Sequence, residues 1–204
     1  MEELLQEIVA REWEMFHNTQ SVGGPAWCQN EPEQFAIQRR SQFLGWDEAT
    51  LRAWLEDLKA AEAAGRNLFA YKYAYMMEST DPAGFAALKD KLPPIDEEKR
   101  ALVEELVKQT LTWCEAFQAK YPHIAERGRP LRSSSDSPCD TSVETYARGE
   151  LSTYGTETLR LLRERFCALA AEGRNIHEET VALEFNQQGF DDLGRVEEWL
   201  ASRE

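Results

Sequence analysis

The residue types best suited to chemistry gather in one stretch. Arg127, Arg129 and Arg132 lead into a hydroxyl-rich run, Ser133-Ser134-Ser135-Asp136-Ser137, ahead of a predicted helix. Arginine forks match carboxylate or phosphate, and free N–H groups at a helix start favour the same anions. Arg129, Arg132 and Ser133 are therefore candidate anion ligands. The competing reading is a solvated serine loop whose arginines pair with nearby acids. A second group breaks the apolar faces of predicted helices: Glu12 on the stripe Leu5, Ile8, Met15; Arg39 on the stripe Phe35, Phe43, Trp46; and Glu150 among Ala147, Leu151 and Tyr154. A charge there must be paired or face a cavity, because burying it alone is too costly. Glu12, Arg39 and Glu150 thus read either as ion pairs that join parts of the fold or as the inside of a site. The arginine loop is expected to fold over and aim a guanidinium at a pocket that also holds Arg39, Glu12 or Glu150. Both arginines in solvent would favour a protein without an active site.

Other patterns are weaker. Glu14-Met15-Phe16-His17 has the E-x-x-H spacing of di-iron bundles, but a later helix offers only Glu115 and Gln118, and His17, His123 and His177 are the only histidines. No metal site is expected. His177 follows Asn175, a helix cap, and reads as exposed. Cys28 and Cys139 fall in loops without an evident histidine partner, while Cys114 and Cys167 sit on helices as small hydrophobes. There is no CxxC, glycine-rich phosphate loop, dinucleotide fingerprint or serine elbow, so no motif specifies a cofactor.

The elements that must position these residues follow from an internal repeat. Residues 35–78 align without a gap on 143–186, since 158 − 50 = 108 and 173 − 65 = 108, and 11 of the 44 pairs are identical. Chance pairing gives roughly three. Gly128-Arg129-Pro130-Leu131 matches Gly23-Gly24-Pro25-Ala26 at an offset of 105, so the second loop, about 121–140, is three residues longer. Apolar spacing and caps predict helices over about 2–18, 33–45, from Asp47, from Asn67 and from Asp81-Pro82, then from Asp96 and over about 142–154, 156–172, 175–187 and 191–203. Gly65 and Gly173 fit the left-handed position that stops a helix. Arg40 with Arg148, Arg52 with Arg160 and Arg66 with Arg174 are paired identities, read as salt bridges and carbonyl contacts at helix ends. No period-two β-branched run occurs. The expected fold is all-α: one domain, 1–204, of about ten helices in two five-helix halves, about 1–92 and 95–204, related by an approximate two-fold axis.

The charge of −14, from 23 basic and 37 acidic residues, repels polyanions, so neither nucleic acid nor an anionic membrane is an expected partner. The acidic start and the absence of a long apolar stretch point to the cytoplasm, with reduced thiols. Two functions are consistent with these residues. One is binding or transforming a small anionic metabolite in a cleft between the halves. The other is a non-catalytic acidic helical module that docks a basic protein partner.

Several blocks also carry a family resemblance. Trp13-Glu14-Met15-Phe16, Gly65-Arg66-Asn67-Leu68 with Tyr73-Ala74 and Met76-Met77-Glu78, residues 88–93, and Gly128-Arg129-Pro130 through Arg132-Ser133-Ser134 resemble an uncharacterised bacterial family, domain of unknown function 4125. The resemblance implies a soluble bacterial protein and assigns no activity or catalytic residue.

Overall fold

Seven helix starts use one local device: an Asp, Asn or Ser side chain accepts a backbone N–H two or three residues on, satisfying a donor that the helix itself leaves open. Asp47, Asn67, Asp81, Asp96, Ser142, Asn175 and Asp192 do this. The computed structural model describes residues 1–20, 27–138 and 140–203, with the side chains of Trp27 and Cys28 excepted. Among these residues there is no strand. The helices are α1 Glu2–His17, α2 Pro32–Gln42, α3 Glu48–Ala63, α4 Leu68–Thr80, α5 Pro82–Leu88, α6 Glu97–Lys120, α7 Pro122–Ala125, α8 Val143–Leu151, α9 Thr156–Ala171, α10 Ile176–Gln187 and α11 Leu193–Ala201. One more helix is present than the ten expected. It is α7, a single turn opened by Pro122 inside the predicted loop, too short to show a hydrophobic period. The Gly23-Gly24-Pro25-Ala26 match and Cys139 lie outside the described residues.

Helix bounds recur in the 108 register: α3 and α9 both start and end 108 residues apart, and α4 and α10 start 108 apart. The joints between them share one geometry. Gly65 has φ +63° and Gly173 φ +72°. Arg66 N–H reaches back to Ala61 O at 2.8 Å and Arg174 N–H to Leu169 O at 3.1 Å, closing the helix end. Asn67 and Asn175 then cap the next helix, and their amide groups also donate to Met15 O and Trp113 O, on α1 and α6.

Helices from residues 1–92 pack against helices from residues 95–204. Helix α4 lies on α8, α2 lies on α10, and α3 meets α9; within each half α1 packs on α3 and α6 on α9. Gly149 permits the close approach of α4, since a Cβ there would come within 2.6 Å of Met76 Cγ. The main core draws on both halves, with Ile8, Leu51, Trp54, Leu58, Leu106, Leu159 and Leu162 fully or almost fully buried. A smaller cluster, Phe117, Ile124, Leu193, Val196 and Leu200, closes the far end under α7 and α11.

Candidate functional site

Helices α1, α2 and α8 bring Glu12, Arg39 and Glu150 together inside the core. Arg39 donates from Nε to Glu12 Oε2 at 2.7 Å, from one terminal nitrogen to Glu12 Oε1 at 2.6 Å, and from the other to Glu150 Oε1 at 2.7 Å. Trp54 Nε1 donates to Glu12 at 2.8 Å. Lys72 donates to Glu150 Oε2 at 2.7 Å, and Gln42 and Tyr154 each donate to Glu150 Oε1 at 2.9 Å. Two carboxylates face two cations, so the cluster is electrically balanced. Burial by itself would raise the Glu150 pKa, but the charges and hydrogen bonds of Arg39 and Lys72 outweigh it and hold Glu150 far below the usual carboxylate range. The adjoining space is about 10 Å³, at most one water. Such a closed, saturated network suits a structural role, and it is the ion-pair reading of these three residues that the geometry fits.

The arginine loop does not reach that cluster, contrary to expectation. Arg132 is exposed and pairs with Glu115 on α6. Arg129 is also exposed, donates to Thr141 O at 3.2 Å, and places its guanidinium 4.8 Å from the centre of the Tyr146 ring. That same ring holds the Lys72 ammonium at 3.6 Å, so Arg129 stops one aromatic side chain short of the interior. Two physical causes are visible. Lys72 already supplies the second positive charge inside, and the loop is tied down elsewhere. Val143 N–H donates to Pro130 O at 2.8 Å, and the Asp136 carboxylate accepts from Ser142 N–H at 2.6 Å and from the hydroxyls of Ser79 and Thr145. Ser133 N–H donates to the Glu144 carboxylate at 2.9 Å.

Ser133 instead lines a cleft of about 400 Å³ between α4 of the N-terminal half and α6 and α8 of the C-terminal half, along with Ser79, Arg100, Glu104 and Arg148. Tyr75 and Ser152 border this chamber and also a second one of about 150 Å³, which Asp57, Arg66, Tyr71 and Lys99 line. Among the described residues neither Arg66, Lys99 nor Arg100 has a carboxylate within ion-pair distance, whereas Arg148 is held by Glu104 and Glu144. Burial pushes the Lys99 pKa down, only partly offset by Asp57 and Asp96, and it pushes Asp57 up despite two hydrogen bonds to its carboxylate. Burial likewise raises Tyr75 to about 12. Two oppositely charged groups are thus both biased toward neutrality in one cleft, a pattern frequent at binding and catalytic sites.

Sequence reasoning missed Lys72, Asp57, Lys99 and Arg100. For Lys72 a signal existed: it lies one turn from Leu68 and one turn from Met76, both buried, so a charge interrupts an apolar stripe as it does at Glu12. Lys99 gives no such signal. Other expectations need correction. His177 is half-buried, and Cys167 is exposed while Cys114 is buried with its thiol pushed up to about 12. Of the paired arginines, Arg40, Arg52, Arg148, Arg160 and Arg174 all form ion pairs, but Arg66 forms none among the described residues. His17 Nδ1 lies 2.9 Å from Gln29 O, which ties the end of α1 to the turn Trp27–Asn30.

The structure defines an all-helical protein with a sealed ionic core and a polar cleft beside it, and no helix among the described residues is long and apolar enough to cross a membrane. Residues 2–198 match the family model described as Protein of unknown function (DUF4125), and the chain belongs to that family. No curated protein matches the chain, and no solved structure does.

Proposed function

We propose that this is a cytosolic bacterial protein that binds a small anionic metabolite in the cleft between its halves, with Lys99 as the anchoring cation and Arg66 and Arg100 at the two mouths. The single observation that carries the reading is the half-buried Lys99 ammonium, which lines the cleft with no carboxylate within ion-pair distance among the described residues, in an otherwise acidic chain. An anionic ligand adds counter-charge beside Lys99 and opposes the burial that pulls its pKa down. Tyr71, Tyr75 and Ser152 line the same space and suit the polar remainder of such a ligand, the Tyr75 hydroxyl as an acceptor because it already donates to Pro93 O at 2.9 Å. The original candidates divide under this reading: Ser133 remains at the outer chamber, Glu12, Arg39 and Glu150 serve as scaffold, and Arg129 and Arg132 drop out. The helix correspondences further suggest one domain built of two copies about an approximate two-fold axis through the α3–α9 contact. The paired crossings of α4 on α8 and α10 on α2 support that arrangement.

Thermal unfolding in inorganic phosphate, pyrophosphate and citrate, each against sodium chloride of equal ionic strength, tests the proposal. At least one anion should raise Tm with concentration, and Lys99→Met should abolish the response while folding normally. An equal response in chloride, or an unchanged response in Lys99→Met, removes the basis for the cleft. One observation favours the alternative of a non-catalytic interaction module. Phe190 and Trp199 are 51% and 52% exposed near the end of the chain, large apolar groups suited to a partner protein of basic character.

A further inference from the structure

A third cavity, of about 470 Å³, lies apart from the cleft, between α6, α7, α10 and α11. Its walls are largely apolar, with Phe117, Ile124, Val181, Phe185 and Leu200 among them. Gln118, Glu126, Arg127 and Arg129 contribute polar groups from α6 and the loop after α7, and two more polar side chains enter from one face of α10: His177 and Glu184, seven residues or two helical turns apart. Both are half-buried, and neither has a hydrogen-bond or ion-pair partner among the described residues. The His177 ring is fixed instead against the edge or face of Phe117, with centroids 5.0 Å apart at 84°.

The geometry points to a binding site for an organic amine with an apolar body, its ammonium held by Glu184 and its hydrocarbon part against the aromatic and aliphatic walls. A carboxylate placed among apolar groups without a partner is costly, and an ammonium ligand removes that cost. Burial raises the Glu184 pKa and lowers that of His177, so the imidazole is biased to its neutral form and keeps one nitrogen free to accept a second hydrogen bond from the ammonium. Phenylalanine rings tolerate a neighbouring cation through their negative faces. The Glu184 carboxylate in the cavity lining, unpaired among the described residues, suits an amine and opposes a fatty acid. Arg127 and Arg129 border the same cavity, but Arg129 is already engaged by Tyr146 and Thr141.

Calorimetric titration at neutral pH with n-hexylamine, 1-hexanol and hexanoate distinguishes these outcomes. Hexylamine should bind at least tenfold more tightly than 1-hexanol, and hexanoate should be the weakest of the three. Glu184→Gln should lose at least tenfold in hexylamine affinity while retaining its affinity for 1-hexanol, which shows that the cavity is still folded. Lys99→Met should bind hexylamine as the unaltered protein does, so failure of the anion cleft and failure of this site are separable. Equal binding of amine and alcohol, tighter binding of hexanoate, no binding of hexylamine, or an unchanged hexylamine affinity in Glu184→Gln each overturns the inference.

Discussion

Replacing Arg39 with methionine isolates the sealed ionic core. Methionine keeps much of the volume and removes all the donors. Glu12, with none of its surface exposed, accepts two hydrogen bonds from Arg39 and one from Trp54, so it is left with a single neutral donor. Glu150 is hurt less, because Lys72, Gln42 and Tyr154 remain. Breaking a buried pair by removing one partner costs about 3–5 kcal/mol. At about 2–4 °C per kcal/mol for a chain of this size, Tm should fall by about 6–20 °C. Urea unfolding followed by tryptophan fluorescence measures the cost, with the midpoint falling and the slope preserved. Glu12→Gln alone should also destabilise, and the double variant should cost less than the sum of the two by about 2 kcal/mol, within the range of coupling for groups in one network. The pH profile supplies a second check. Glu150 has its folded pKa below its unfolded value, so its contribution is complete above the unfolded value, about 4.3, and is lost as the pH falls through the folded value. With Arg39 gone that loss should begin at higher pH. A cost for Arg39→Met below about 1 kcal/mol, or strict additivity with Glu12→Gln, would refute the structural assignment.

Three further substitutions follow from the backbone. Gly65→Ala and Gly173→Ala should each cost about 1–2 kcal/mol, because the added Cβ meets no atom within 4 Å and only the left-handed backbone opposes it. A Tm equal to or above that of the unaltered protein in both would disprove this. Gly155→Ala puts a Cβ 2.2 Å from Asp57 Oδ1, so the carboxylate must withdraw from Gly155 N–H and from the Thr158 hydroxyl. The cost should resemble the loss of a helix cap, about 1–2 kcal/mol, and should nearly vanish in an Asp57→Ala background. Additive costs in the double variant would show that the two residues do not act together.

Helix type and most boundaries were legible in the sequence because their causes are local. Asp47, Asn67, Asp96 and Asn175 cap where expected, and Gly65 and Gly173 stop helices where their register places them. That Glu12, Arg39 and Glu150 must be paired or face a cavity was legible too, since burial of a charge admits few solutions. Which solution applied was not. It depended on Lys72, 78 residues from Glu150, reaching across the contact of α4 with α8. The loop arginines misled for a related reason: their positive charge is unusual in the sequence, yet Glu115 and the Tyr146 ring satisfy it locally. Lys99 was invisible because its surroundings come from α3 and the turn before α9, and no spacing within α6 announces them.

Positions 108 residues apart meet the need for a helix cap differently beside the polar cleft. In the N-terminal half, Asp47 caps α3 by itself, accepting from Thr50 N–H at 2.9 Å and from the Thr50 hydroxyl at 2.7 Å. Adding 108 to 47 gives Gly155 and adding 108 to 50 gives Thr158, so the C-terminal half keeps the threonine and lacks the capping carboxylate. Asp57 supplies it from α3, accepting from Gly155 N–H at 2.7 Å and from the Thr158 hydroxyl at 2.6 Å. Adding 108 to 57 gives Arg165, which meets the opposite need. There the turn before α3 offers a carbonyl, and Arg165 Nε donates to Gly45 O at 2.8 Å. Acid and base at positions 57 and 165 therefore match what each facing turn presents. A second aspartate at 155 would set its side chain against the Asp57 carboxylate, where even a Cβ does not fit, so glycine at 155 and aspartate at 57 belong together. Capping from a distance draws Asp57 to the wall that Lys99 also lines. The carboxylate that caps α9 from a distance is thus also one of the charged groups of the cleft.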